Sequence, residues 1–407
     1  MSRERMFPLR SVVLGAFVPS LVFEVGIGAM LPIVAITATH LGASLAVAGI
    51  MAALVPIGQL LADMPAGALA ARLGDRRAMM LAGLVSAVGF VGCALAPHLA
   101  VLALGVLLIG GATAVFNLAR HAYLTEITPP LRRARVLSTL AGVHRIGLFI
   151  GPFAGAAVIH GNGLRAGYWL ALGTSLAATA VIAAVRPEGD EHGPAAPAGS
   201  RQTRSLWSVL TEHRQVFATL GVAVLLVGAV RGARQTVLPL WGEHLGLDPA
   251  VTSVVFGVAG AADMLLFYPA GKVMDAFGRL WIGIPAMLTM GLAMALLPLT
   301  TTVAAFAWVA VLLGLGNGMS SGILMTLGAD VAPPGERAQF LGIWRVFQDG
   351  GAAAGPLVVS AGAALGSLAA GIWVMAGSGV VAAGALGRWV PRWSAHANRT
   401  TRRRAGL

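Results

Sequence analysis

Residues 65–77 read PAGALAARLGDRR, and residues 269–279 read PAGKVMDAFGR. The two stretches lie 204 residues apart, and each joins one long apolar run to the next. Glycine and a cluster of charges between apolar runs mark a tight polar turn. More of the chain falls into register at the same offset. His40-Leu41-Gly42 lies on His244-Leu245-Gly246, Gly74 on Gly278, and Gly110 on Gly314. Glu126 lies on Asp330, Pro129-Pro130 on Pro333-Pro334, Arg133-Ala134 on Arg337-Ala338, and Gly151-Pro152 on Gly355-Pro356. One such match in a chain of 54 glycines means little, but a gapless series at one offset means a duplicated chain.

Composition says what surrounds it. Of the 407 residues, 57% are hydrophobic and 11% charged, against roughly 25% charged in a soluble domain. So few charges cannot cover a water-exposed surface, so lipid must be the solvent for most of the chain. The net charge of +12 does not indicate nucleic acid, because the arginines sit in short clusters between apolar runs. Cys93 is the single cysteine, which excludes an internal disulfide, and metal-ligand spacing is absent. No cofactor or metal is expected. The N-terminal MSRERMFPLR precedes an apolar run too long for a signal-peptide core, so that run is expected to stay as a first span.

Runs of spanning length are expected at 11–38, 45–71, 77–96, 99–126, 134–160, 163–185, 214–241, 249–275, 279–301, 303–330, 338–364 and 366–388. The expectation is therefore an all-α membrane protein of twelve transmembrane helices in two six-helix, pseudo-symmetric bundles. Every second loop is rich in arginine, and the opposite set holds little beyond Arg165. Both termini are then cytoplasmic. Residues 1–186 form the first bundle, 187–213 a Pro/Gly-rich linker in which SLWSVLTEHR is able to form a surface helix, 214–390 the second bundle, and 391–407 a basic tail.

On these residues the chain resembles the major facilitator superfamily over essentially its whole length. That family carries a Gly-x-x-x-Asp-Arg-x-Gly-Arg-Arg type motif after its second span. Here Gly67, Arg72, Gly74, Asp75 and Arg76 match it, with Ala71 in the usual place of the Asp. The second half holds Gly271, Asp275, Gly278 and Arg279. By resemblance these, with Glu126 and Arg133 and with Asp330 and Arg337, are cytoplasmic gate charges; their alternative is to fix topology alone. Gly147, Gly151, Pro152 and Gly155 in span five resemble the antiporter motif of drug:proton exporters. Ordinary small-residue packing is the other explanation. The Arg that such exporters often carry before the glycine pair of span four is missing. Val106 and Leu107 precede Gly110-Gly111, and the nearest Arg is Arg120.

Charges inside a bilayer cost roughly 2.5–3.5 kcal/mol each on insertion scales, so those retained face a cavity or a partner. The resemblance implies that spans one, four, seven and ten line the cavity. Glu24 in span one, and then Asp263, are the candidates for proton coupling. Arg120, Asn117, Arg231, Arg234, Gln235 and Asn317 are the cavity or substrate candidates. Arg120 would bind an anionic group or pair with Glu24. The resemblance also places span two against eleven and five against eight. Asp63 would then meet Arg345 and Asp349, and Arg145 would meet Asp263. His144, beside Arg145, is either a proton carrier or a hydrogen-bonded structural residue.

The expected activity is secondary active transport by alternating access, most specifically proton-coupled efflux of small, partly hydrophobic organic compounds. A polar metabolite such as a sugar or amino acid is the alternative cargo. A membrane enzyme or receptor is disfavoured, since no nucleophile, base or metal cluster and no large soluble stretch is present. The expected partners are a small-molecule substrate, protons and membrane lipid, with the chain a monomer in a bacterial inner (plasma) membrane.

Overall fold

A computed structural model describes residues 12–128, 130–185, 206–333, 336–404 and 406. Among these every regular element is helical. Lipid offers no partner to a backbone N–H or C=O, so a spanning segment must satisfy its own.

The long helices are α1 (Val13–His40), α2 (Leu45–Leu73), α3 (Asp75–Ala94), α4 (Leu99–Ile127), α5 (Pro130–Ile159) and α6 (Arg165–Ala184). They continue with α7 (Arg214–His244), α8 (Pro249–Phe277), α9 (Leu280–Leu299), α10 (Val303–Val331), α11 (Arg337–Ala364) and α12 (Leu368–Trp393). Eleven are long and apolar enough to cross a membrane. The remaining one, α11, has the length at 28 residues but carries Arg345, Gln348 and Asp349. Counting it, the tally is consistent with the twelve expected. A short helix at Leu206–Glu212 precedes α7.

The expected span 366–388 falls short of its helix, since α12 runs on to Trp393. Arg388 and Arg392 lie over the Trp389 ring, at 5.1 and 4.9 Å from its centroid. Their stems and charges continue the helix instead of ending it.

The duplication is visible in the packing. In the first half α1 packs on α5 and α6, and α3 on α4 and α6; in the second, α7 packs on α11 and α12, and α9 on α10 and α12. Even a local irregularity repeats: one π-turn at Val13–Phe17 and one at Phe217–Gly221. The turns after α2 and α8 are made by Gly74 and Gly278, with φ of +80° and +109°. These are left-handed values that a side chain disfavours.

The chain divides into two compact units, and the division does not follow the halves. One comprises Met1–Val34 with Ile57–Ser200; the other comprises Ala35–Pro56 with Arg201–Leu407. The end of α1 and the start of α2 therefore belong with the second half. Pro32 allows α1 to break there, since it supplies no N–H, and the helix turns at Leu31–Pro32 before resuming at Ile33.

Candidate functional site

In the first unit, Glu24 lies on α1, near the middle of the helix. Its neighbours can approach because small residues line the α1–α5 contact. A Cβ on Gly147 would lie 2.6 Å from the Cβ of Glu24, and one on Gly151 would lie 2.7 Å from the Ala29 nitrogen. Gly155 abuts Ala29 in the same way. The glycines of the antiporter-like motif are thus the surface on which α1 rests. Gly351 and Gly355 on α11 meet α7 along Leu225–Ala233 at the equivalent places. Backbones in lipid are drawn together by such close packing.

That contact brings α5 and α4 onto one carboxylate oxygen. Arg120 Nη1 on α4 lies 3.4 Å from Glu24 Oε1, and His144 Nδ1 on α5 lies 2.7 Å from the same atom. Glu24 and Arg120 are 1% and 3% exposed, while the His144 side chain keeps 34% exposure. Of the two possibilities for Arg120, pairing with Glu24 is the one present. Phe23 and Phe116 flank the pair as a buried stack, ring centroids 4.3 Å apart. One oxygen of a buried carboxylate is thus held by a guanidinium and an imidazole from two different helices.

The second unit holds a longer polar chain. Arg231 Nε donates to Asn317 Oδ1 at 3.2 Å, and Asn317 Nδ2 donates to Asp263 Oδ2. The Asn317–Asp263 bond is 2.6 Å, and Arg234 Nη1 stands 4.0 Å from that same oxygen. Arg234 is buried, with its guanidinium 5.9 Å from the Phe256 ring centroid. Gln235 is exposed and Asn117 half-buried. Asp63 and Arg145 fall in the first unit, and Asp263, Arg345 and Asp349 in the second. Within the second, Arg345 Nε donates to Asp349 Oδ2 at 3.3 Å, one helical turn on.

The gate candidates separate. Arg279 holds Asp330 through Nε at 3.0 Å and Nη2 at 3.2 Å, and reaches Asp275 at 3.5 Å. The first-half turn is built differently. Arg76 donates to the C-terminal carbonyls of α6, to Ile182 at 2.8 and 3.0 Å and to Ala183 at 3.1 Å. Asp75 is half-buried, with Glu126 as its charged neighbour. Gly67 and Gly271 have open space around them. Arg72 and Arg337 are exposed, and the Arg133 side chain lies outside the described residues, as does most of the expected linker.

Two features escaped the sequence. Thr39 Oγ1 donates to Glu243 Oε1 at 2.8 Å, although the neighbouring His40-Leu41-Gly42 match marked that register. The segment after α12 docks on the α8–α9 turn, which nothing in a basic tail announces.

Two matching sets of six helices around buried ionic clusters define the class: a multi-pass membrane transporter. The family model of the Major Facilitator Superfamily matches residues 14–356, and the chain belongs to that family. It is 23% identical over 322 residues to the uncharacterized MFS-type transporter YhjO of Bacillus subtilis (strain 168), covering 78% of each chain. It is 24% identical over 262 residues to Multidrug resistance protein 2 of the same organism, covering 62% of this chain and 64% of that one. Among solved structures, a POT family transporter in complex with a thioalcohol-conjugated peptide superposes with a TM-score of 0.78 at 13% identity. That match covers 94% of this chain and 96% of the other, and it speaks for the fold alone.

Proposed function

We propose that this chain is a proton-coupled secondary transporter that exports small, partly hydrophobic organic compounds by alternating access. The observation that carries it is Glu24, a carboxylate buried in the middle of a spanning helix, with Arg120 and His144 on one of its oxygens. Such a charge is retained in lipid for a reason, and a partly exposed imidazole beside it gives the proton a path. Arg120 holds the carboxylate while it is ionised and is released when Glu24 is protonated. The similarity to a multidrug resistance protein supports a drug-like cargo. In this scheme the two bundles rock about a central site, Asp63, Arg145, Arg345 and Asp349 pair across them, and the gate charges close the cytoplasmic side. The chain works as a monomer in a bacterial plasma membrane with both termini in the cytoplasm.

The test is flux in proteoliposomes loaded with a pH-sensitive dye, run against a compound panel. Substrate-dependent proton movement is expected in the wild type and absent in Glu24→Gln. Transport by Glu24→Gln with unchanged pH dependence would sink the coupling scheme.

A second cargo class has its own support. The Arg231–Asn317–Asp263 chain offers donors and an acceptor suited to a polar metabolite. Preference of the panel for sugars or amino acids over apolar compounds would favour it.

A further inference from the structure

The residues after α12 fold back onto the second-half turn. The N–H of Arg279 donates to the carbonyl of His396 at 3.1 Å, and that of Leu280 to the carbonyl of Ala397 at 3.0 Å. These are N–H groups at the start of α9, which a helix leaves without internal partners. Ser394 Oγ donates at 3.1 Å to Asp330 Oδ2, the carboxylate that Arg279 also holds. Asn398 and Thr401 then cap each other, Asn398 N–H to Thr401 Oγ1 at 3.0 Å and Thr401 N–H to Asn398 Oδ1 at 2.9 Å. That cap starts a short helix at Arg399–Arg404. The Arg399 guanidinium lies 4.7 Å from the Phe277 ring centroid, and Phe277 lies 5.9 Å from Trp281.

Among the described residues, a Cβ on Gly74 would meet no atom within 4 Å, whereas one on Gly278 would lie 2.6 Å from the Ala397 carbonyl oxygen. The tail is therefore seated at one defined place, and its cations are displayed there. Between 350 and 407 the chain has six arginines and no acid. Arg388, Arg392, Arg403 and Arg404 are exposed, and Trp281, next to Phe277, is 59% exposed.

We propose that this seated tail is a binding surface for anionic phospholipid headgroups. Its cations are carried on two separate helices and edged by an exposed indole, an arrangement that fits a sheet of headgroups better than one small anion. Tryptophan beside arginine is the composition of a membrane–water boundary, and a cluster of four or more arginines next to a span is drawn to anionic lipid. The surface faces the inner leaflet if the loop charges give the sidedness correctly, so it rests on that reading of orientation. The assay below is done in detergent, where neither sidedness nor transport enters.

Fluorescent short-chain phosphatidylglycerol is titrated against the full-length, detergent-solubilised protein and followed by anisotropy, with phosphatidylcholine as the neutral arm. Two arginines near a lipid charge are worth roughly tenfold or more in affinity. The Arg403→Gln/Arg404→Gln pair is expected to weaken phosphatidylglycerol binding by that factor and leave phosphatidylcholine unchanged. Arg403→Lys/Arg404→Lys is expected to bind within about twofold of wild type, which separates lost charge from lost folding. Equal phosphatidylglycerol binding by wild type and the Gln pair overturns the proposal. So does equal competition by soluble glycerol phosphate, which would make it a site for free phosphate.

Discussion

Thr39 and Glu243 occupy the same position of the internal repeat, 204 residues apart, and they bond to each other: Thr39 Oγ1 lies 2.8 Å from Glu243 Oε1. The hydroxyl also lies 2.8 Å from the Ile36 carbonyl, so one proton is shared between two acceptors. Nearby, Gly49 of α2 abuts Ser360 of α11 and Leu240 of α7. The far end of the first hairpin is thus tied to the second half by a hydrogen bond to a carboxylate and by the Ser360 and Leu240 side chains packed against Gly49.

Thr39→Val keeps the shape and removes the donor. A hydrogen bond to a charged group contributes about 1.5–3 kcal/mol, and partial exposure brings the expected loss to about 1–2 kcal/mol. The thermal midpoint of purified Thr39→Val should fall, and that of Thr39→Ser should stay close to wild type. Equal midpoints for Val and Ser would remove the bond from the account.

Arg120→Gln leaves Glu24 as a buried charge with only His144 beside it. Breaking one side of a buried pair costs about 3–5 kcal/mol. Removing both charges in Glu24→Gln/Arg120→Gln should cost less than the sum of the two single changes, by about 0.5–3 kcal/mol. Chemical unfolding of the four proteins of the cycle measures this, and strict additivity would mean the two side chains are not coupled.

On α5, two glycines should behave in opposite ways. Gly151 has the α1 backbone against it, so Gly151→Val overpacks the contact and should cost about 1–3 kcal/mol. Gly142 has no atom within 4 Å of an added Cβ, so Gly142→Ala should be neutral or stabilising by about 0.5–1 kcal/mol. Melting of the two variants side by side decides whether the motif's glycines are packing surface.

Asp330 is the shared acceptor of Arg279 and Ser394. Asp330→Asn should loosen both the α8–α9 turn and the tail, so limited trypsin digestion should cut at Arg399 and Arg403 several times faster than in wild type. Asp275→Asn should change that rate little, because the Asp275 side chain is 78% exposed. Equal cutting in all three proteins would show that the tail is held by its backbone bonds alone.

Much of the fold could be read in advance because lipid imposes a simple rule on each segment alone. The run 99–126 became α4 at Leu99–Ile127, and 338–364 became α11 at Arg337–Ala364. Glycines in the repeated turns carried the register, since Gly74 and Gly278 take a backbone shape that other residues avoid. Glu24 stood out because its cost is local. Its bond to Arg120 was one of two expected possibilities, and the convergence of His144 on the same oxygen was not expected.

Composition, apolar run length and the constant offset determined by themselves the membrane solvent, the helical class and the duplication, because each depends on a residue and its near neighbours along the chain. Which oxygen Arg120 and His144 share, that Thr39 reaches Glu243, and that the tail caps α9 were decided only by tertiary packing. Those contacts join residues 96 to 204 positions apart in the first two cases, where spacing along the chain says nothing about distance in space. The Glu24 cluster exists because glycine faces let α1 and α5 approach until side chains from three helices meet.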